Sequence, residues 1–244
     1  MIRRLLVRGL IVGALAGVLA FVVASLFGEP QLQRAIDFED AAGPALVSRG
    51  VQRSIGLLTG TVVMGAALGG FFALVFAWAY GRVGTFGARA LAALLGAGAL
   101  VTITLVPFTK YPANPPGVGN PDTIDTRTVL FVAMIVISLL AAVAAWRIRR
   151  QLLERLGSWN ATLLAIGAYI AVIAVAQLIL PAVHETPNGF PADVLYRFRL
   201  ASLGINLTHW SAIGLGFGAA AERLLGAQRD MTPAASHRAL STQR

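Results

Sequence analysis

The stretch GLIVGALAGVLAFVVASLF, residues 9–27, contains no charged side chain. A helix of about 20 apolar residues is long enough to cross the hydrocarbon core of a bilayer. Because backbone N–H and C=O groups in lipid must be paired within the segment, such a stretch has to be helical. Its glycines recur every fourth residue, a spacing that lets two helix backbones approach closely. The stretch therefore predicts a transmembrane helix with a small-residue packing face.

Further apolar runs of similar length follow along the chain. They cover residues 55–79, 90–108, 128–146, 161–180 and 203–221. The 244 residues are 57% hydrophobic and 13% charged, whereas soluble domains average about 45–50% apolar and about 25% charged residues. We predict an all-α polytopic membrane protein with six transmembrane helices in residues 1–225. The polar segment 226–244 is predicted to be a disordered cytoplasmic tail.

The positive charges are concentrated on one side of the predicted membrane. Counting alternate connectors, 13 of the 20 Lys and Arg residues lie on the side of the N-terminus, while the opposite side carries 8 of the 11 acidic residues. Positive charge is enriched in cytoplasmic loops, so the pattern predicts that both termini are cytoplasmic. The formal charge of +9 thus indicates orientation in a membrane rather than nucleic-acid binding.

The connectors predicted to lie outside share a spacing of two prolines followed by an arginine. The three sets are Pro30, Pro44 and Arg49; Pro107, Pro121 and Arg127; and Pro181, Pro191 and Arg197. Internal repeats are common in transporters, so the spacing indicates three repeated helical hairpins. Prolines are also frequent at helix ends, and chance remains an alternative.

Motifs for catalysis are missing from the sequence. It has no HExxH, GxSxG, P-loop or dinucleotide-binding pattern and no cysteine. We predict a protein that is not an enzyme, binds no cofactor tightly and depends on another protein for any ATP drive. A haem held by His184 and His209 is the least favoured alternative, because His184 lies in a connector.

The first outer connector, EPQLQRAIDFEDAAG (residues 29–43), is acidic. Its carboxylates Asp37, Glu39 and Asp40 could gather cations by raising their local concentration. The alternative is a solvated interfacial helix whose apolar residues rest on the bilayer.

A second candidate site lies in the last outer connector. His184, Glu185 and Asp193 offer imidazole and carboxylate ligands suited to a borderline divalent ion such as Co, Ni or Zn. A helix cap beside an exposed histidine would give the same sequence, so both interpretations stay open.

A polar stripe runs along the last predicted helix. Tyr196, Arg199, Ser202, Asn206 and His209 follow at helical spacing and share one face. Polar side chains at membrane depth usually face a bundle interior or a water-filled cavity. The stripe therefore indicates a transport pathway, with polar contacts between helices as the alternative.

Three segments resemble the CbtA family of predicted cobalt transporter subunits. They are RRLLVRGLIVGALAGVLAFVVASLFGEPQLQRAIDFE, VPFTKYPANPPGVGNPDTIDTRT and ETPNGFPADVLYRFRLASL. The resemblance covers most of residues 1–225. It implies a polytopic inner-membrane protein for cobalt uptake, linked to cobalamin supply, with a small single-span partner subunit, CbtB, that has a histidine-bearing end. The matching positions are Lys110, Tyr111, Pro112, Asn114, Pro115, Pro116, Asp122, Arg127, Glu185, Pro187, Pro191, Arg197 and Arg199.

These observations favour an integral membrane subunit of a divalent-metal uptake transporter, with cobalt as the transported cation. Its expected partners are a CbtB-like subunit and membrane lipids, and no nucleic acid. The alternative function is that of a non-transporting membrane scaffold or assembly subunit whose small-residue helices bind other subunits.

Overall fold

Long helices form most of the chain in the computed structural model, which describes residues 1–38, 47–183 and 185–231. They are α1 (Ile2–Phe38), α2 (Arg49–Ala79), α3 (Ala88–Lys110), α4 (Ile124–Ile179) and α5 (Ala192–Met231). A 3₁₀ turn, Pro121–Thr123, precedes α4. No strand occurs in the described ranges, and the all-α prediction is confirmed for them.

The six predicted apolar runs all coincide with helices. Those at 9–27, 55–79 and 90–108 lie in α1, α2 and α3, those at 128–146 and 161–180 coincide with α4, and the run at 203–221 lies in α5. Among the described residues, α1 to α4 are the helices that are long and apolar enough to cross a membrane. α5 falls short because Asn206, Thr208 and His209 lower the hydropathy of its run. The count of six spans therefore stays a prediction.

Helix α4 has a break that makes two spans feasible. Its 56 residues would measure about 84 Å as a straight helix, against about 30 Å for the hydrocarbon core. Gly157 has φ 74° and ψ 168° and interrupts the helix, since a positive φ costs glycine little. Arg149 Nε donates across the break to Thr162 Oγ1 at 2.9 Å. The segments 124–156 and 158–179 are each long enough to span.

π-Helical turns interrupt α1 at Ala24–Gly28, α2 at Gln52–Gly56 and α3 at Leu100–Leu105. Two of them lie just before a proline, Pro30 in α1 and Pro107 in α3. Proline has no N–H to donate and its ring displaces the carbonyl four residues earlier. A π turn changes the hydrogen-bond pairing there, which lets both helices continue past the proline.

The three connectors predicted to lie outside do not begin alike. Helix α1 continues through Pro30 to Phe38, α3 ends at Lys110, three residues after Pro107, and α4 ends before Pro181. Proline thus lies inside a helix at position 30, whereas at position 181 it follows the end of one. The threefold hairpin repeat is not confirmed and remains a prediction.

The chain divides into two compact units. The first comprises Met1–Val23, Val47–Gly98 and Leu207–Arg244, and the second comprises Ala24–Leu46 and Ala99–Asn206. Their internal packing differs in kind.

Glycines bring α1 and α2 together in the first unit. Gly9, Gly13 and Gly17 of α1 face Gly69, Gly65 and Thr61 of α2, in that order. The reversed numbering shows that the two helices are antiparallel. A Cβ on any of these glycines would meet the backbone of the other helix, so the predicted small-residue packing face is confirmed.

Aromatic rings and an ion pair attach α5 to the same unit. The ring of Phe217 lies edge-to-face on Phe72 and Phe76, with centroids 5.5 and 5.1 Å apart. Arg89 forms an ion pair with Glu222. The C-terminal half of α5 thereby packs against α2 and α3.

Two clusters form the core of the second unit. Met134 is fully buried among Tyr111, Ala141, Ile173 and Ala176. The other cluster comprises Ala35, Val118, Phe190 and Val194. It gathers residues from α1, the loop after α3, the loop before α5 and α5 itself. The described parts of these connectors that contribute to the cluster are therefore packed against one another.

Candidate functional site

Arg199 of α5 holds the loop that follows α3. Its Nε donates to the Ala113 carbonyl oxygen at 3.3 Å and its Nη2 donates to Asn114 Oδ1 at 2.8 Å. A guanidinium presents its donors in a fixed planar arrangement, so Arg199 fixes the loop backbone and a side chain together. Tyr196, the outermost residue of the predicted stripe, is exposed.

The next two stripe residues are linked to each other and to α3. Asn206 Nδ2 donates to the Ser202 carbonyl oxygen at 2.9 Å, and Asn206 Oδ1 accepts from Thr104 Oγ1 at 3.4 Å. Thr104 is 6% exposed. The nitrogen and the oxygen of the Asn206 amide thus both form hydrogen bonds within the second unit. Such bonds are expected if the stripe only makes polar contacts between helices. A pathway role for Ser202 and Asn206 remains a prediction.

His209 lies in the first unit and is 7% exposed. Its side chain forms a hydrogen bond with the backbone of Thr61 in α2. Its Nε2 atom is buried and has no hydrogen-bond partner. A Cβ added at Gly17 of α1 would contact the carbonyl oxygen of the same Thr61. Backbone from α1 and α2 therefore converges at the partner of this imidazole.

Glu185 binds the segment that precedes α4. Its Oε2 accepts from the Asn120 backbone N–H and from Thr123 Oγ1, both at 2.9 Å, and lies 3.6 Å from Arg127 Nε. The bonds from Asn120 and Thr123 hold the pKa of Glu185 below its ordinary value of 4.5, with a smaller effect of the Arg127 charge and an opposing effect of burial. Glu185 is therefore ionised and links the loop before α5 to the segment at the start of α4.

The predicted metal ligands are not gathered around a common point in the described ranges. Asp193 Oδ2 lies 3.2 Å from Arg34 Nη1, whereas Glu185 faces Arg127. His184 lies outside the described residues, and no group of three or more His, Asp or Glu side chains able to hold a metal occurs among those described. Each of the two carboxylates has an arginine partner, and the ligand role stays a prediction.

Of the three predicted cation-gathering residues, the structure describes Asp37. Its Oδ1 accepts from Gln33 Nε2 at 2.8 Å. Glu39 and Asp40 lie outside the described residues. The neighbouring Phe38 packs edge-to-face on Phe190, with centroids 5.1 Å apart, so this apolar residue contacts protein. The cation-gathering role is untested by these contacts.

A hydrogen-bond cluster between the ends of α3 and α4 was missed by sequence reasoning. Lys110 Nζ donates to the Gln177 carbonyl oxygen at 2.7 Å, and Gln177 Nε2 donates to Thr109 Oγ1 at 2.7 Å. Tyr111 donates its hydroxyl proton to the Pro181 carbonyl oxygen at 2.8 Å. Lys110 and Tyr111 had been singled out by the family resemblance alone, because a backbone acceptor some 70 residues away leaves no sequence signal.

No curated protein and no solved structure matches the chain. Residues 2–222, which include most of every helix, match the family described as Probable cobalt transporter subunit (CbtA). A transporter subunit is not a class of enzyme, and the helices long and apolar enough to cross a membrane agree with a multi-pass membrane protein. The chain therefore belongs to the CbtA family of probable cobalt transporter subunits.

Proposed function

We propose that this chain is the membrane subunit through which a divalent cation, cobalt, is taken up for cobalamin supply. The observation that carries the proposal is the family match over residues 2–222. The apolar helices α1 to α4 support it, since a cation crosses a bilayer only along a protein route.

The proposed topology has six spans, with both termini on the cytoplasmic side of the inner membrane. The break at Gly157 supports two spans within α4. The excess of Lys and Arg on one set of connectors supports the orientation.

The proposed route follows the polar face of α5, from Tyr196 and Arg199 through Ser202 and Asn206 to His209. Helical rise of about 1.5 Å per residue places His209 about 15 Å inward from Arg199. The burial of His209 supports the inner end of this route. The loop contacts of Arg199 support a shaped outer end.

The outer connectors would supply cations to that route. Asp37, with Glu39 and Asp40, would raise the local cation concentration. His184 with Glu185 and Asp193 would offer transient ligands. The arginine partners of the last two mean that a cation would have to displace Arg127 or Arg34 to reach them.

A partner subunit completes the proposal. The family is one of transporter subunits, and this chain has three histidines in 244 residues. A small single-span CbtB-like subunit with a histidine-bearing end would supply the imidazoles that this chain lacks.

Cobalt accumulation in cells tests the proposal. Cells that lack cobalt uptake would express the chain alone, the CbtB-like subunit alone, or both, at protein levels matched in isolated membranes. We expect accumulation of radioactive cobalt above the vector control when both are present, with excess nickel and zinc as competitors to define selectivity. The absence of uptake with both subunits in the membrane would refute the transport function.

The scaffold function is supported by the glycine contact of α1 with α2, which provides rigid assembly without any polar group. In that case the partner subunit would conduct cobalt by itself, and this chain would serve only to assemble the partner in the membrane. Substitutions in the polar face of α5 would then leave uptake unchanged, whereas Gly13→Ala would abolish it.

A further inference from the structure

Arginine is concentrated where α4 breaks between its two proposed spans. The segment WRIRRQLLERLGSW, residues 146–159, has four arginines, one acid and a tryptophan at each end, and we call it the α4 corner. The apolar runs before and after it are each about 30 Å long as helices, which equals the thickness of the hydrocarbon core. In the proposed topology Trp146 and Trp159 therefore lie at the same membrane–water interface, where tryptophan is enriched.

One of the four arginines stabilises the shape of the corner. Arg149 Nε donates to Thr162 Oγ1 at 2.9 Å, and its Nη2 donates to Ser158 Oγ at 3.3 Å. Thr162 Oγ1 in turn donates to the Ser158 carbonyl oxygen at 2.7 Å. These bonds join the two sides of the break at Gly157, so the guanidinium of Arg149 is occupied within the protein.

The other three arginines of the corner are available to a ligand. Arg147, Arg150 and Arg155 are exposed, and none of them forms an ion pair within the part of the chain that the structure describes. The one acid, Glu154, lies about 6 Å beyond Arg150 along the helix, on the side away from the first span. The corner therefore has an excess of positive charge that no carboxylate neutralises.

Arg150 is directed back toward the membrane surface. Its guanidinium lies over the ring of Trp146, with the Cζ atom 5.2 Å from the ring centroid. Side chains of a helix point toward its N-terminus, and here that direction leads into the first span of α4. Arg147 is three residues earlier, on the same helix face. A guanidinium that stacks on an aromatic ring keeps its in-plane N–H donors free for a phosphate.

We propose that the α4 corner binds the phosphate of an anionic phospholipid headgroup, with Arg147 and Arg150 as the main donors and Arg155 adding charge. A lipid is favoured over a soluble anion because the donors of Arg150 lie beside Trp146, at the level of the headgroups. Basic residues just outside a span attract anionic lipids by charge. The inference rests on the two proposed spans of α4 and does not depend on which cation the protein transports.

Lipid-specific quenching at the corner tests the proposal. Because the chain has no cysteine, a fluorophore on Gln151→Cys, at an exposed position of the corner, reports on this site alone. The labelled full chain would be placed in phosphatidylcholine vesicles that contain a small fraction of spin-labelled phosphatidylglycerol or spin-labelled phosphatidylcholine. Both lipids have a phosphate, but only phosphatidylglycerol has a net negative charge. We expect stronger quenching by phosphatidylglycerol, and this preference should decrease in high salt.

Substitution of the arginines gives the size of the effect. Each arginine near an anionic surface strengthens binding about fivefold. We expect Arg150→Gln to reduce the preference for phosphatidylglycerol about fivefold, and Arg147→Gln combined with Arg150→Gln to reduce it about 25-fold. Since these side chains have no ion-pair partner, the melting temperature should not change. If the double variant fails to fold, the single variant still decides the result.

A matched control and a competitor separate this site from general charge and from free phosphate. Arg82→Gln combined with Arg223→Gln removes the same charge from the same predicted side and should keep the preference. The proposal is wrong if this control loses the preference equally, or if the wild type shows none. It is also wrong if inorganic phosphate abolishes the preference at an ionic strength where chloride does not, because the site would then bind the free anion. Absence of quenching by either lipid would refute the proposal and the two spans of α4 together, while the transport function would stand.

Discussion

The contact between α1 and α2 and the connector around Glu185 are stabilised by different interactions. In the first, Gly13 and Gly65 place backbone directly on backbone, and a Cβ on either glycine would meet a carbonyl oxygen of the other helix. In the second, one carboxylate collects donors from Asn120 and Thr123 and the charge of Arg127. Close backbone packing stabilises the contact between α1 and α2, whereas hydrogen bonds and charge stabilise the connector around Glu185.

The difference predicts how each region responds to change. A contact between backbones has no side chain that can move aside, so an added methyl group must displace a helix. A hydrogen-bonded carboxylate responds instead to pH, and loss of one donor leaves the others. The stability of the first unit should therefore depend on side-chain volume at the glycines. The stability of the connector should depend on the protonation state of Glu185.

The largest effect is expected for Gly13→Ala. The new Cβ would meet the Gly65 carbonyl and the Gly69 backbone. Overpacking costs about 1–3 kcal/mol, and rigid backbone neighbours place this site at the upper end of that range. We expect a clear fall in the melting temperature of the detergent-purified protein and lower accumulation in membranes.

Gly60→Ala on α2 is the matched control, because nothing lies within 4 Å of a Cβ at that position. Replacing an exposed helical glycine with alanine should stabilise by about 0.5–1 kcal/mol. Equal melting temperatures for the two variants would show that the α1–α2 contact does not depend on shape.

An intermediate effect is expected from the titration of Glu185. Its pKa is lowered in the folded protein, so its contribution to stability is fully present above the ordinary value of 4.5. That contribution is lost as the pH falls through the lower folded value. We expect the melting temperature of the wild type to decrease more steeply below pH 4.5 than that of Glu185→Gln.

Thr123→Val sharpens this test. It removes the donor at 2.9 Å and leaves the Asn120 bond, so its acid sensitivity should lie between those of the wild type and Glu185→Gln. Superimposable pH profiles for the wild type and Glu185→Gln would show that the carboxylate does not hold the connector.

Sequence reasoning succeeded where one segment contains its own signal. The spacing of Gly9, Gly13 and Gly17 predicted a packing face because a helix puts every fourth residue on one side, and apolar length predicted the helices. It could not give the partners of Glu185, since Asn120 and Thr123 lie more than 60 residues earlier. Nor could it show that His209 Nε2 is buried without a hydrogen-bond partner, because that depends on which groups the neighbouring helices place beside the ring.

The smallest effect is expected for the ion pair between Arg34 and Asp193, which belongs to the connector region but is open to solvent. The two side chains are 53% and 55% exposed and lie 3.2 Å apart. Exposed pairs contribute about 0–1 kcal/mol, because water screens the charges and two side chains must be ordered. A double-mutant cycle of Arg34→Gln and Asp193→Asn, followed by thermal unfolding, should give a coupling energy below about 1 kcal/mol. This coupling should shrink further in high salt, where the Debye length falls to about 3 Å at 1 M. A larger or salt-independent coupling would mean that the pair is shielded from water. The connector would then resemble the glycine contact in being fixed by its surroundings, and a cation would have little access to Asp193.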